Sequence, residues 1–315
     1  RLDTMVTVVD AERFLADLGS LDDLRTRRMA LGEDDERTIA DLLVDQVEFA
    51  DVLVLNKADR VCAEQLGRLE AILAHLNPDA ERIATTRGAI DPARILGTGR
   101  FDFAKAEAAP GWQKELAGMH VPETEEYGIG SFVYRARRPF HPERLWHRVL
   151  EGLPGTLRAK GFFWIATRPD WMIAWAQAGQ MLEIQPVGHW YAATPTTEWS
   201  LDDEARAELA TRWHPSFGDR RQELAIIGQD LDREGLVAML DACLLTEEEM
   251  TLGDAGWGAF TDPFPAFVTA PVEAEDEEAD EEAARDARDT RDGRDGRDGR
   301  DTSDSAPPGA AGIDR

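Results

Sequence analysis

The segment Asp51-Val-Leu-Val-Leu-Asn56 constrains the fold of this chain more than any other. It places four consecutive apolar residues, two of them β-branched, between polar ends with no alternation. A strand apolar on both faces is buried on both faces, which is the situation in a parallel sheet covered by helices. Its surroundings repeat the theme. Residues 4–9 form a near-continuous β-branched and apolar run, read as a fully buried strand ending at Asp10, which is placed to cap a short amphipathic segment over 11–18. Ile39, Leu42, Leu43 and Val47 share one helical face, and Leu66, Leu69, Ile72, Leu73 and Leu76 recur at helical spacing until Asn77-Pro78. A short run over 83–86 supplies a third strand. The order β-α-β-α-β predicts part of a parallel α/β sheet.

Between Gly97 and Glu126 the pattern dissolves into Gly, Pro, Ala and charged residues, and the composition then changes. No Trp or Tyr precedes residue 112, whereas eight Trp and all three Tyr lie between 112 and 213. We therefore expect an α/β region over 1–110, a linker over 111–126, a second domain over 127–267 and a tail over 268–315. The second domain reads as strands at 128–135, 161–167, 171–176, 181–184, 190–193 and 224–227. Helices are expected from His141-Pro142-Glu143, over Leu201–Trp213 and over Asp232–Leu244, with Asp232 as a cap. Helices against an antiparallel or mixed sheet make this an α+β domain. The stretch Trp257–Phe267 is rich in aromatics and Pro, as in a segment strapped onto a surface.

Charge narrows the partners. The chain carries 62 acidic and 35 basic side chains, a net −27, of which residues 271–315 hold 16 acidic and 7 basic. Generic binding to a nucleic-acid backbone or an anionic membrane is excluded as an expectation. Glu273 to Glu282 is almost wholly acidic, and 285–302 is six consecutive Arg-Asp-x triplets; both read as a disordered, solvating tail rather than a calcium-binding repeat or an adhesion ligand. Cys62 and Cys243 stand far apart, which argues against a disulfide framework and fits a reducing cytoplasm. No apolar run approaches the roughly 18 residues of a membrane span. The chain opens at Arg1 directly into a strand, without an initiator Met, and further sequence upstream is expected.

The sharpest local signal is Asn56-Lys57-Ala58-Asp59, immediately after the buried strand. Ligands of open α/β sheets bind beyond the carboxyl ends of strands. An Asp there accepts two hydrogen bonds from the ring N–H and exocyclic amine of guanine; adenine offers no such donor pair. The Lys stem can cover base or sugar, and the Asn can tie neighbouring loops. Ala84-Thr85-Thr86-Arg87-Gly88 follows the next strand, where a backbone N–H can reach the guanine carbonyl or the Thr residues can cap a strand-to-helix turn. No G-x-x-x-x-G-K-[ST] phosphate loop occurs in the 315 residues. By itself, the chain is not expected to hydrolyse GTP appreciably.

Three further segments carry a resemblance: Tyr127-Gly-Ile-Gly-Ser-Phe-Val-Tyr-Arg-Ala-Arg-Arg-Pro-Phe-His-Pro-Glu143, Lys160-Gly-Phe-Phe-Trp-Ile-Ala-Thr-Arg-Pro169 and Gly218-Asp-Arg-Arg-Gln-Glu223. With the guanine motif and the strand Thr7-Val-Val-Asp10, they make residues 1–265 similar to the CobW family of P-loop GTPases and metallochaperones. The resemblance implies a partial P-loop GTPase parallel sheet followed by an α+β CobW C-terminal domain. It implies guanine recognition (GTP/GDP) by Asn56, Lys57 and Asp59, and GTP-dependent delivery of zinc, or cobalt in cobalamin synthesis, to a metal-requiring client protein. The family's phosphate loop, Cys-x-Cys-Cys metal motif and Mg²⁺-associated acidic segment would lie upstream of Arg1, so Mg²⁺ and Zn²⁺ are implied for a complete protein only. Catalytic and metal-ligating residues are accordingly assigned to none of the positions present.

The remaining polar clusters suggest other roles. His120, beside Glu123, Glu125 and Glu126, lacks the second and third ligands that zinc requires and reads as solvated; His141 reads as a cap or interface residue. Arg135, Arg137 and Arg138, the compact basic cluster of the second domain, suit interdomain or client contacts. The run Trp164–Trp175 reads as core or sheet surface. Two alternatives stay open: a non-catalytic protein-interaction module and an inactive fragment. The fragment reading rests on the exposed edges that a cut parallel sheet leaves; homo-oligomerisation is the other partner expectation.

Overall fold

The computed structural model describes residues 2–22, 24, 38–103, 111–118 and 127–267. His120 and the acidic, Arg-Asp-rich tail lie outside them. Two sheets organise the described chain. In the first, β1 (Val6–Asp10), β2 (Val52–Asn56) and β3 (Glu81–Ala84) run parallel in the order β1-β2-β3. The apolar run is the central strand, and both its faces are covered. Leu53 and Leu55 join a core with Val9, Val44 and Leu73, while Val52 and Val54 meet Ile83, Ile90 and Ile95. The helices α1 (Phe14–Leu18), α2 (Ile39–Glu48) and α3 (Ala63–Leu76) supply the apolar stripes. Thr38 starts α2 with a capping box: its hydroxyl accepts from Asp41 N–H at 3.2 Å, and Asp41 accepts from Thr38 N–H at 3.1 Å.

Asn77, fully buried after α3, fastens the layer. Its amide donates to the carbonyls of Val47, Glu48 and Ala50 at 2.8–3.1 Å and accepts from Asp79 and Ala80 N–H. One side chain thereby binds the last two carbonyls of α2, which have no partner within the helix, and that of Ala50 just beyond it. Two expectations for the N-terminal strand need correction. Strand β1 is not buried on both faces: Val8 is 64 % exposed and Val6 37 %, because the Ile83, Ile90 and Ile95 cluster that covers this face of the sheet over β2 includes no residue of β1, whereas Val9 on the other face is buried. Nor does Asp10 cap a helix over 11–18, since α1 begins only at Phe14; Asp10 instead turns the chain, accepting from Glu12 N–H at 3.0 Å.

The second sheet is antiparallel, in the order β4-β8-β5-β6-β7, with β4 (Ile129–Ala136), β5 (Thr156–Phe163), β6 (Trp171–Ala178), β7 (Met181–His189) and β8 (Gln222–Gln229). Helices α5 (Pro142–Glu151) and α7 (Arg233–Asp241) contribute Leu145, Leu236 and Leu240 to the core with Phe132, Phe163 and Trp175. Before them, α4 (Gly111–Leu116) occupies part of the expected linker, and α6 (Asp203–Arg212) follows β7. The expected strand 161–167 is displaced: β5 ends at Phe163, and Ile165 makes only an isolated bridge to Phe140. Trp190–Ala193 is no strand either. Trp190 is anchored through Nε1–H to Trp171 O at 2.8 Å, and Tyr191–Ala193 forms a 3₁₀ turn whose N–H groups meet Asp219. Trp164 and Trp175 are each only 1 % exposed and Trp171 is half-buried against the same core, so the Trp-rich run is mostly core; Trp190, beyond it, is also 1 % exposed. Asp232 caps α7 through Gly235 N–H at 2.9 Å, as expected.

The aromatic strap closes the domain. After α8 (Glu247–Met250) and α9 (Gly253–Trp257), Asp262 pairs with Arg168 at 2.8 Å. The same guanidinium donates to the carbonyls of Phe264 and Pro265 and lies 4.2 Å over Phe267. Arg144 grips Glu249 with two bonds of 2.7 and 2.8 Å, joining α5 to the α8 capping box. That grip holds the Glu249 carboxyl at about 2, below its usual 4.5. A depressed carboxyl contributes stability above its unfolded value and loses it as pH falls through its folded value. Glu249→Gln is therefore expected to be less stable than wild type at neutral pH, with the gap closing between about 4.5 and about 2; urea unfolding at stepped pH measures it.

A buried ion pair connects the two sheets. Glu48, at the end of α2, receives Arg158 of β5 through Nε–Oε1 at 2.8 Å and a second bond at 3.0 Å, with side chains 1 % and 3 % exposed. Burial pushes the Glu48 carboxyl up, against the opposing pull of Arg158.

Candidate functional site

The carboxyl ends of the three parallel strands bring together Asp10, Asn56 and the segment after Ala84. Asp10 and Asn56 are direct register partners, as are Leu55 and Ala84. Asn56 ties the loops: its Oδ1 accepts from Gly88 N–H at 3.0 Å, while its carbonyl accepts from Ala11 N–H at 3.0 Å. Ala58 N–H donates to Thr85 O at 3.1 Å, fastening the start of the next turn to the same loop.

Lys57 adopts the left-handed conformation, φ 62° and ψ 30°, uncommon for a residue with a side chain. The turn aims its ammonium at Asp10 Oδ2, 2.5 Å away. Burial pushes the Asp10 carboxyl up, but Lys57 and the N–H groups of Glu12 and Arg13 more than offset it, and the group is held below the ordinary carboxylate range. Asp10 is the residue that the sequence reading missed as part of this site. Its role follows from the pairing of β1 with β2, which places residue 10 beside residue 56.

Asp59 lies exposed in a 3₁₀ turn over Ala58–Arg60. Among the described residues its carboxylate accepts no hydrogen bond. In the neighbouring loop, Thr85 N–H is spent on Leu55 O, Gly88 N–H on Asn56 and Ala89 N–H on Thr86 O. The N–H groups of Thr86 and Arg87 are not spent on protein acceptors among the described residues. Arg87 and Gly88 both have positive φ, 55° and 68°, which turns the loop back over Thr85, whose hydroxyl donates to Ala89 O at 2.7 Å. The strand ends therefore present an exposed carboxylate, a lysine whose ammonium is fixed by Asp10, and N–H donors not spent on protein acceptors among the described residues, groups able to meet a ligand edge that carries both donors and an acceptor.

His141 caps α5, its Nδ1 accepting from Arg144 N–H at 3.5 Å. His189 packs edge-on to Trp171, and His214 stacks on Phe217. No group of three His, Cys, Asp or Glu among the described residues is arranged to hold a metal ion. No helix among them is long and apolar enough to cross a membrane.

Comparison with known proteins agrees with this architecture. Residues 1–84 match the profile of the CobW/HypB/UreG nucleotide-binding domain, so the parallel sheet defines a nucleotide-binding domain of that class. Residues 129–244 match the C-terminal domain of the cobalamin synthesis protein cobW. With both domains in order, the chain belongs to the CobW family. It is 44 % identical to zinc-regulated GTPase metalloprotein activator 1 of Dictyostelium discoideum over 267 residues, 84 % of this chain and 56 % of that protein. It is 32 % identical to zinc chaperone Rv0106 of Mycobacterium tuberculosis over 268 residues, 84 % of this chain and 61 % of that protein. The chain thus spans about three-fifths of these curated relatives' lengths. Zn(II)-bound YjiA GTPase from E. coli aligns over 78 % of this chain and 62 % of its own at 18 % identity, with a TM-score of 0.29, too low to support an inference.

Proposed function

We propose that this chain is the guanine-recognising and client-facing part of a GTP-dependent zinc metallochaperone. The observation that carries the reading is the crevice at the end of β2, where Asn56 braces the loop, Lys57 is fixed by Asp10, and Asp59 is left exposed. Asp59 would accept the N1–H and exocyclic amine of guanine. Thr86 or Arg87 N–H would donate to its carbonyl, and the Lys57 stem would cover the ring face. Relatives named as a zinc-regulated GTPase metalloprotein activator and a zinc chaperone support zinc as the cargo and a metal-requiring protein as the client. GTP supplies, through hydrolysis with Mg²⁺ in the complete protein, the free-energy change that makes delivery directional. The residues described here bind and orient the base and brace the loops around it. Cys62 and Cys243 are both free thiols, which supports a cytoplasmic setting.

The test is equilibrium competition of GDP and ADP for the product of the whole reading frame that contains this chain. A site that bonds the donor edge of guanine rejects a base lacking that edge by about 100-fold or more. Equal affinity for GDP and ADP would contradict the reading.

A further inference from the structure

The basic cluster noted in the sequence acquires a setting in the structure. Arg135 and Arg137, at the end of β4, meet Arg212 at the end of α6 and Arg221 just before β8 around a cleft of about 750 Å³. Trp112 of α4 and Phe162 of β5 supply its apolar lining. Four arginines face one carboxylate, Glu223, among the lining residues, and Glu208 pairs with Arg212 from just outside it, which leaves a local excess of positive charge in a chain of net −27.

The cleft is held in shape rather than collapsed. Ser131 Oγ–H donates to Glu115 at 2.7 Å, fixing α4 beside β4, and Arg135 donates to Leu116 O at 3.0 Å. Lys160 lies 5.0 Å from the Trp112 ring centre and steadies it. Glu223 clasps Arg135 at 2.9 Å and Arg221 at 2.6 Å, and these guanidiniums hold its carboxyl below the ordinary range despite burial. Arg137 is different: among the described residues its guanidinium meets only the carbonyls of Arg212 and Arg220, at 3.0 and 3.4 Å, so no carboxylate neutralises it. Arg212 bonds Glu208 one turn earlier on α6, an exposed pair that a ligand carboxylate can replace; Arg135 and Arg212 keep about half of their side chains exposed, 52 % and 53 %.

From this geometry we infer that the cleft is a docking site for an acidic peptide segment of a partner protein, one carrying an apolar or aromatic residue among its carboxylates. Guanidinium forks match carboxylates bidentately. Trp112 and Phe162 offer the apolar contact that fixes register. A nucleic-acid strand brings a continuous charged backbone that the surrounding negative surface repels; a short acidic segment needs only the local field. The inference rests on the antiparallel sheet and α4, independently of guanine recognition.

The test is fluorescence anisotropy on the full chain. The probe is a fluorescein-labelled peptide alternating glutamate with phenylalanine and leucine; comparison probes are the same peptide with glutamine for glutamate, and a single-stranded oligonucleotide. The acidic peptide is expected to bind with an affinity that falls as salt rises. Arg135→Gln combined with Arg212→Gln is expected to weaken it on the order of tenfold or more in a chain that still folds, as read by an unchanged circular dichroism spectrum. Arg212→Glu provides a second variant, expected to lose the acidic peptide at unchanged circular dichroism. No binding of the acidic peptide, equal binding of the glutamine peptide, equal binding of the oligonucleotide, or full affinity in the folded variants would each overturn the inference.

Discussion

Arg158→Met is expected to destabilise the chain by about 3–5 kcal/mol, the cost of leaving a buried charge without its partner. In wild type both oxygens of Glu48 are held by the guanidinium, and neither side chain is more than 3 % exposed. Methionine roughly fills the volume of the stem but supplies no donor. Glu48 is already pushed upward by burial; without Arg158 its folded-state value rises further above the unfolded one. A raised carboxyl contributes stability below its unfolded value and loses it as pH rises through the folded value. The penalty in Arg158→Met should therefore grow with pH above the ordinary carboxylate range. The companion variant Glu48→Leu/Arg158→Met removes both charges and should recover most of the loss, because apolar replacements of a buried pair are often neutral or better. Urea unfolding reads both; a loss below about 1 kcal/mol in the single variant would show that the pair behaves as a surface bridge.

The pair also has a positional consequence. Glu48 closes α2, and β2 begins four residues later and ends at Asn56. The carbonyls of Val47, Glu48 and Ala50 are bound by Asn77, so this corner is fixed both from within its own layer and from the antiparallel sheet. The loops proposed to recognise the base stand on a strand whose start is anchored twice.

Much of this could be read from the sequence because the signals were local. The uninterrupted apolar run at 52–55 identifies the central parallel strand, and the motif following it falls at the strand end where ligands bind. Leu69, Ile72, Leu73 and Leu76 lie on the buried side of α3. What escaped depended on contacts between distant residues. Arg158 lies before the strand expected at 161–167 and carried no local signal; its partner is 110 residues away. Val8 looks as apolar as Val54, and its exposure reflects which neighbours β1 has rather than its own sequence. Trp190 suggested a strand, but its ring and the Asp219 carboxylate impose a turn. Asp10 looked like a helix cap because its bond to Lys57 depends on strand pairing.

The second large effect concerns Asp59, whose carboxylate offers two acceptors and no donor. Guanine presents N1–H and an exocyclic amine, both donors, so the match is complete. Xanthine keeps the N1–H but carries a carbonyl where guanine has the amine. Asparagine at position 59 would accept from N1–H and donate to that carbonyl, while facing the guanine amine with a donor. Asp59→Asn is therefore expected to invert the preference, with each mismatch costing about 100-fold or more because a polar group is left unpaired. The fold should be unaffected, since Asp59 is exposed in a short turn.

Competition between GDP and xanthosine diphosphate, measured for wild type and Asp59→Asn in the product of the whole reading frame, tests guanine recognition at this crevice most directly. The account predicts that wild type prefers GDP and the variant prefers xanthosine diphosphate. An unchanged preference for GDP in the folded variant would contradict it.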